Sequence, residues 1–144
     1  MRAILGGTTL AMAASMAAAL AQAPNAITVA IQGLVNDQGS VRCGLFNSPD
    51  GWPDPGRQFM GIVAPISDGK ATCVFGNVPP GTYAVALSHA QHNETTLPTG
   101  LFGKPEEGFG FSRDASGTVG APSFQAAAYA YTGGHTIWPV HMQH

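Results

Sequence analysis

The segment Ala71–His89 carries two alternating runs joined at Pro79-Pro80-Gly81, and it restricts the chain to folds in which β-strands reverse at tight corners. Pro80 sets φ near the value wanted at the second position of a type II turn, and Gly81 offers the positive φ demanded at the third. A chain reversal is predicted there. In the second run Tyr83, Val85 and Leu87 point one way while Thr82, Ala84, Ala86 and Ser88 point the other, the period-2 pattern of a half-buried strand.

The same alternation recurs along the chain. Ile27, Val29 and Ile31 alternate with Thr28, Ala30 and Gln32, predicting a first strand that ends at Gly33-Leu34, after which Asn36-Asp37-Gln38-Gly39 turns the chain into a second strand, Val41–Phe46. The next stretch, Asn47–Gly56, holds three prolines and two glycines and reads as a structured surface loop with Trp52 as an apolar lid over one end of the core. Gly61–Ser67 and Lys70–Phe75 are predicted strands joined by a two-residue hairpin turn at Asp68-Gly69. From His89 to Ala121 the chain is irregular, and Phe102, Phe109 and Phe111 between glycines predict a segment pinned to a sheet edge.

Beyond that segment, Pro122-Ser123 is set to cap one helical turn over Phe124–Ala127. Tyr129–Thr132 and His135–Met142 then read as a last hairpin through Gly133-Gly134, with Trp138, Val140 and Met142 on one face. Pro139 marks that final strand as an edge strand or a bulged one. About seven strands favour an all-β, antiparallel two-sheet sandwich with one long irregular loop.

The N-terminus predicts the compartment. Arg2 precedes an uncharged run, Ala3–Leu20, that is too short and Ala-rich for a membrane anchor and is followed by small-residue cleavage sites. Residues 1–21 therefore read as a secretory signal peptide cut after Ala21, and residues 22–144 as a single domain. Export predicts a periplasmic or secreted protein, and no later segment is apolar enough to span a bilayer. In the mature chain five cations face eight acidic residues, a formal charge of −3, so no basic stripe exists for nucleic acid. Cys43 and Cys73, the only cysteines, each share a predicted strand face with apolar neighbours. Export favours a disulfide between them over two buried thiols; the two alternatives differ in the Cα separation they need.

The order of segments resembles a known family. Val41-Arg42-Cys43-Gly44-Leu45-Phe46-Asn47-Ser48, Val78–Ala86, Phe102–Ser112 with its Gly-Phe-Gly-Phe-Ser piece, and Gly120–Ala127 with Pro-Ser-Phe together look like the bacterial exported family known as domain of unknown function 2141. The resemblance implies a periplasmic or secreted β-sandwich of prealbumin-like or immunoglobulin-like type, and no known reaction. Members of that family often carry an acidic, Asn/Gly-rich loop like a Ca²⁺ loop after the histidine that matches His89. Here the matching positions are Ala90, His92, Glu94 and Pro98, and with one carboxylate left an oxygen-ligand site is expected to be lost.

The chemistry-bearing residues are sparse. Glu106 and Glu107 are adjacent in an extended segment and point apart, which prevents them from flanking one bond. Ser112 or Ser123 with Asp114 and a histidine could be drawn as a triad, but there is no Gly-x-Ser-x-Gly elbow to present a nucleophile. Asn93-Glu94-Thr95 matches a glycosylation sequon, which in a chain resembling a bacterial family reads as coincidence. The leading expectation is an exported, non-catalytic module that binds a ligand or an envelope protein through the 89–121 loop and the Trp52 loop, with Trp52, Phe102, Phe109 and Phe111 as contact residues. The alternative is a copper or zinc binder in which His89 and His92 meet His141 or His144 at one end of the sandwich. A hydrolase is the third possibility, and it requires a histidine within hydrogen-bond reach of a serine or carboxylate.

Overall fold

The computed structural model describes residues 23–92 and 108–144. The expected signal peptide, the sequon at Asn93, Glu94, Pro98, Phe102 and the Glu106-Glu107 pair lie outside the described residues. The elements are β1 (Ala26–Gln32), β2 (Ser40–Phe46), β3 (Met60–Pro65), β4 (Ala71–Phe75), β5 (Gly81–Ala90), β6 (Phe109–Phe111), a 3-10 turn (Ser112–Asp114), α1 (Phe124–Ala127), β7 (Tyr129–Tyr131) and β8 (His135–His141). They form a two-sheet, sandwich-like arrangement. One sheet has the order β4-β1-β8; the other has the order β3-β2-β5-β6, with β7 also paired to β5.

The alternation seen in the sequence fills the space between the sheets. Ile27, Val29 and Ile31 from β1, Cys73 and Phe75 from β4, and Trp138 and Val140 from β8 meet Val41, Cys43 and Leu45 from β2 and Val85 and Leu87 from β5. Cys43 and Cys73 form a disulfide with Cα atoms 6.7 Å apart, and because β2 and β4 belong to different sheets the bond crosses the core. A second apolar cluster, Phe46, Ala84, Phe111, Phe124 and Ala127, covers the other face of β5. The middle of β5 is thus buried on both faces, where its pattern had predicted half-burial.

Three predicted hairpins are corrected by the strand pairing. The Asp68-Gly69 turn forms, with φ of 55° and 71°, and the Asp37 carboxylate accepts both backbone N–H groups at 3.0 and 2.9 Å. The strands it joins then separate, β3 to pair with β2 and β4 to pair with β1. At the Pro-Gly corner, Gly81 opens β5 without a left-handed φ, and Asn77, at φ 57°, supplies the reversal instead. A Cβ at Gly81 would press on the Tyr83 ring at 3.2 Å, a tight contact that glycine avoids. That connection carries the chain from one sheet to the other. Likewise β7 pairs with β5 whereas β8 runs parallel to β1, from Ala26 opposite His135 to Gln32 opposite His141. Pro139 does sit on an edge strand, as expected, and Ser123 does cap α1 by accepting the Ala126 N–H. Part of the segment expected to be irregular is ordered into β6 on the edge of β5.

Candidate functional site

Among the described residues, two places gather the chemistry-bearing side chains. The first is the aromatic cluster on the outer face of the five-stranded sheet. The Trp52 ring stands 5.1 Å from Phe46, 5.8 Å from Phe111 and 5.8 Å from Phe124, and Phe109 lies 5.8 Å from Phe111. Edge-to-face contacts dominate, the arrangement that ring quadrupoles favour. The Trp52 Nε1–H donates to the Pro122 carbonyl at 2.8 Å, which fixes the 47–56 loop to the segment leading into α1. Of the four aromatic contact residues expected from the sequence, Trp52, Phe109 and Phe111 therefore belong to one surface. Trp52 and Phe109 stay half-buried at its rim.

The second is the end of the sandwich where β5 and β8 finish. His89 closes the inner row of β5 and is fully buried, with Nε2 2.7 Å from the Gln38 carbonyl oxygen and its own N–H donating to the Gly108 carbonyl at 2.9 Å. His144 is exposed and places Nε2 3.0 Å from the Gly33 carbonyl oxygen. His141 lies on the exposed, outer face of β8. Its Nδ1 is 2.7 Å from Asp114 Oδ2, its backbone N–H donates to Asp114 Oδ1 at 2.8 Å, and its Nε2 is 3.0 Å from Gln32 Nε2. With Nδ1–H on the carboxylate, Nε2 accepts from the Gln32 amide. His92 is exposed just past the end of β5, and among the described residues no three His, Cys, Asp or Glu side chains gather.

Asp114 reaches His141 at a cost in backbone conformation. Arg113 and Asp114 both adopt left-handed φ, 62° and 49°, within the turn that follows β6. The carboxylate–imidazole half of a triad is therefore present. The hydroxyls are engaged elsewhere: Ser112 Oγ accepts the Val85 N–H at 2.8 Å and donates to the Ala127 carbonyl, and Ser123 caps α1. Sequence reasoning named Ser112 and Asp114 but gave no sign that one is a buried backbone clip and the other a partner of His141.

The family model described as "uncharacterized protein conserved in bacteria (DUF2141)" matches residues 29–137. The chain belongs to that family. No curated protein and no solved structure matches it. The region matched to DUF2141 runs from β1 into β8 and includes both cysteines, Trp52, His89, Phe109 and Phe111. It stops before His141 and His144. Among the described residues no helix is long and apolar enough to cross a membrane.

Proposed function

We propose that this DUF2141 protein is an exported, non-catalytic binding module whose recognition surface is the aromatic shelf of Trp52 and Phe109, seated on the buried Phe111, together with the 89–121 segment. The observation that carries this reading is the packing of Trp52, from a distant part of the chain, against Phe111, which also holds Phe109. Binding residues concentrate on loops held by a rigid scaffold, and half-buried aromatic rings supply contact area at little entropic cost. Export is supported by the Ala3–Leu20 run and by the Cys43–Cys73 disulfide, a bond that persists in oxidising compartments.

Val119, 82% exposed and close in sequence to the Trp52 anchor at Pro122, offers a test that leaves the fold intact. A photocrosslinking residue placed at position 119 of the full chain, in growing bacteria, is expected to capture one discrete partner. The same residue at position 72, on the exposed side of β4, is expected to capture none. Identical patterns from both positions, or no adduct from position 119, would overturn the reading.

A further inference from the structure

The end of the sandwich at His89 also holds imidazole and thioether side chains beside the bare backbone of Gly108. Along β5 the residues Tyr83, Val85, Leu87 and His89 share the inner face, and Leu87 is paired with Gly110 of β6. A Cβ on Gly110 would lie 3.3 Å from Leu87 Cδ1 and 2.7 Å from Val140 Cγ1, so that position faces the core. Gly108, two residues earlier and bonded to the His89 N–H, faces the same way. A Cβ there would meet His144 Cε1 at 3.0 Å, His144 Nδ1 at 3.1 Å and Met142 Cε at 3.2 Å. Met142 and His144 therefore close directly over the bare backbone of Gly108, beside the position of His89 on β5.

The protonation pattern of the two rings fits metal ligation. A carbonyl oxygen only accepts, so the contacts of His89 Nε2 with Gln38 and of His144 Nε2 with Gly33 place the proton of each neutral ring on Nε2. Each Nδ1 then carries a lone pair. For His89 that Nδ1 is buried and has no hydrogen-bond partner, a desolvated lone pair with nothing to receive. Histidines that ligate metals usually donate their other ring N–H to a carbonyl or carboxylate, which fixes the tautomer and aims the free nitrogen. Both rings have that support.

We propose that His89 Nδ1, Met142 Sδ and His144 Nδ1 bind a single Cu⁺ ion in front of Gly108. A thioether is a soft ligand that selects Cu⁺, imidazole suits copper, and no carboxylate of the kind that Ca²⁺ or Mg²⁺ requires is among the three. Three neutral donors and a monovalent ion also leave only one charge to be placed at a largely buried site. Met142 is buried and His144 exposed, so the ion enters from the His144 side. This set differs from the four histidines that the sequence singled out, because the alternation of β8 places His141 on the outer face and Met142 on the inner one.

The test is an anaerobic titration of the full chain with Cu⁺ in competition with bicinchoninate, read together with copper X-ray absorption. One equivalent is expected to bind with one sulfur and two nitrogen scatterers. His144→Ala, at an exposed residue, and Met142→Leu, a swap of similar volume, are each expected to weaken binding roughly tenfold or more. The sulfur scatterer disappears in Met142→Leu, while His141→Ala leaves the affinity unchanged. Absence of stoichiometric Cu⁺ binding, an affinity indifferent to both Met142→Leu and His144→Ala, or an equal loss in His141→Ala would overturn the proposal.

Discussion

The side chain of Ser112 is the smallest device in the molecule with a large structural consequence. It is fully buried, receives the Val85 N–H from the middle of β5 and donates to the carbonyl of Ala127 at the end of α1. Replacing it by alanine removes one hydroxyl and strands two buried backbone groups, each worth about 1–3 kcal/mol of desolvation. Ser112→Ala is therefore expected to lower the unfolding free energy by about 2–4 kcal/mol, read from the urea midpoint with the slope unchanged. An unchanged midpoint would mean that water or a shifted backbone satisfies both groups. Nothing in the local sequence announces this role, since Ser112 follows Gly-Phe-Gly-Phe as any exposed loop serine would. The roles of Trp138, Val140 and Met142 were legible, because burial of alternate residues leaves a period that needs no knowledge of the partner strand.

At the level of elements, the strands themselves were readable from period 2 and their pairing was not. Asp68-Gly69 makes the predicted turn, yet only Ser67 and Lys70 bridge across it before β3 and β4 part. The turn chemistry is local, whereas the sheet a strand joins depends on which apolar row can be buried against which. Ala71, Cys73 and Phe75 are buried in the core beside β1, and that packing outweighs continuation of a hairpin. The connections between sheets are held instead by phenol groups: the Tyr83 hydroxyl donates to Pro79 O at 2.7 Å and the Tyr131 hydroxyl to Gly134 O at 2.6 Å. Burial raises the pKa of both phenols above 10.0, and for Tyr83 the neighbouring Tyr131 adds to it. A folded-state pKa above the unfolded one gives stability that is complete below pH 10.0 and is lost as the pH rises through the folded values. Denaturation midpoints are accordingly expected to hold steady up to that range and then fall, with phenolate absorbance rising in the same interval. Tyr131→Phe, which cannot ionise, is expected to make the alkaline decline shallower.

For the whole molecule, the decisive contacts join segments far apart in the chain, and this is why the topology could not be read from it. The first and last strands lie side by side and parallel, an arrangement that no turn encodes. The one covalent link between the two sheets is Cys43–Cys73, closing a loop with a sequence separation of 30. In the chain-entropy view such a bridge stabilises the fold by restricting the unfolded chain, by about 3–4 kcal/mol for a loop of this length. Against a total of about 5–15 kcal/mol for an ordinary domain, that is a large share. A chain with both cysteines changed to alanine is therefore expected to unfold at a clearly lower denaturant concentration than the oxidised protein, and reduction of the unaltered chain is expected to produce a loss of similar size. If reduction and replacement both leave the midpoint in place, the core between the sheets supplies the stability by itself. The bond would then matter for something other than the folding equilibrium. If replacement costs far more than reduction, the excess measures the packing of two buried sulfur atoms and not the constraint on the unfolded chain. The two variants together thus separate the covalent link from the volume it fills.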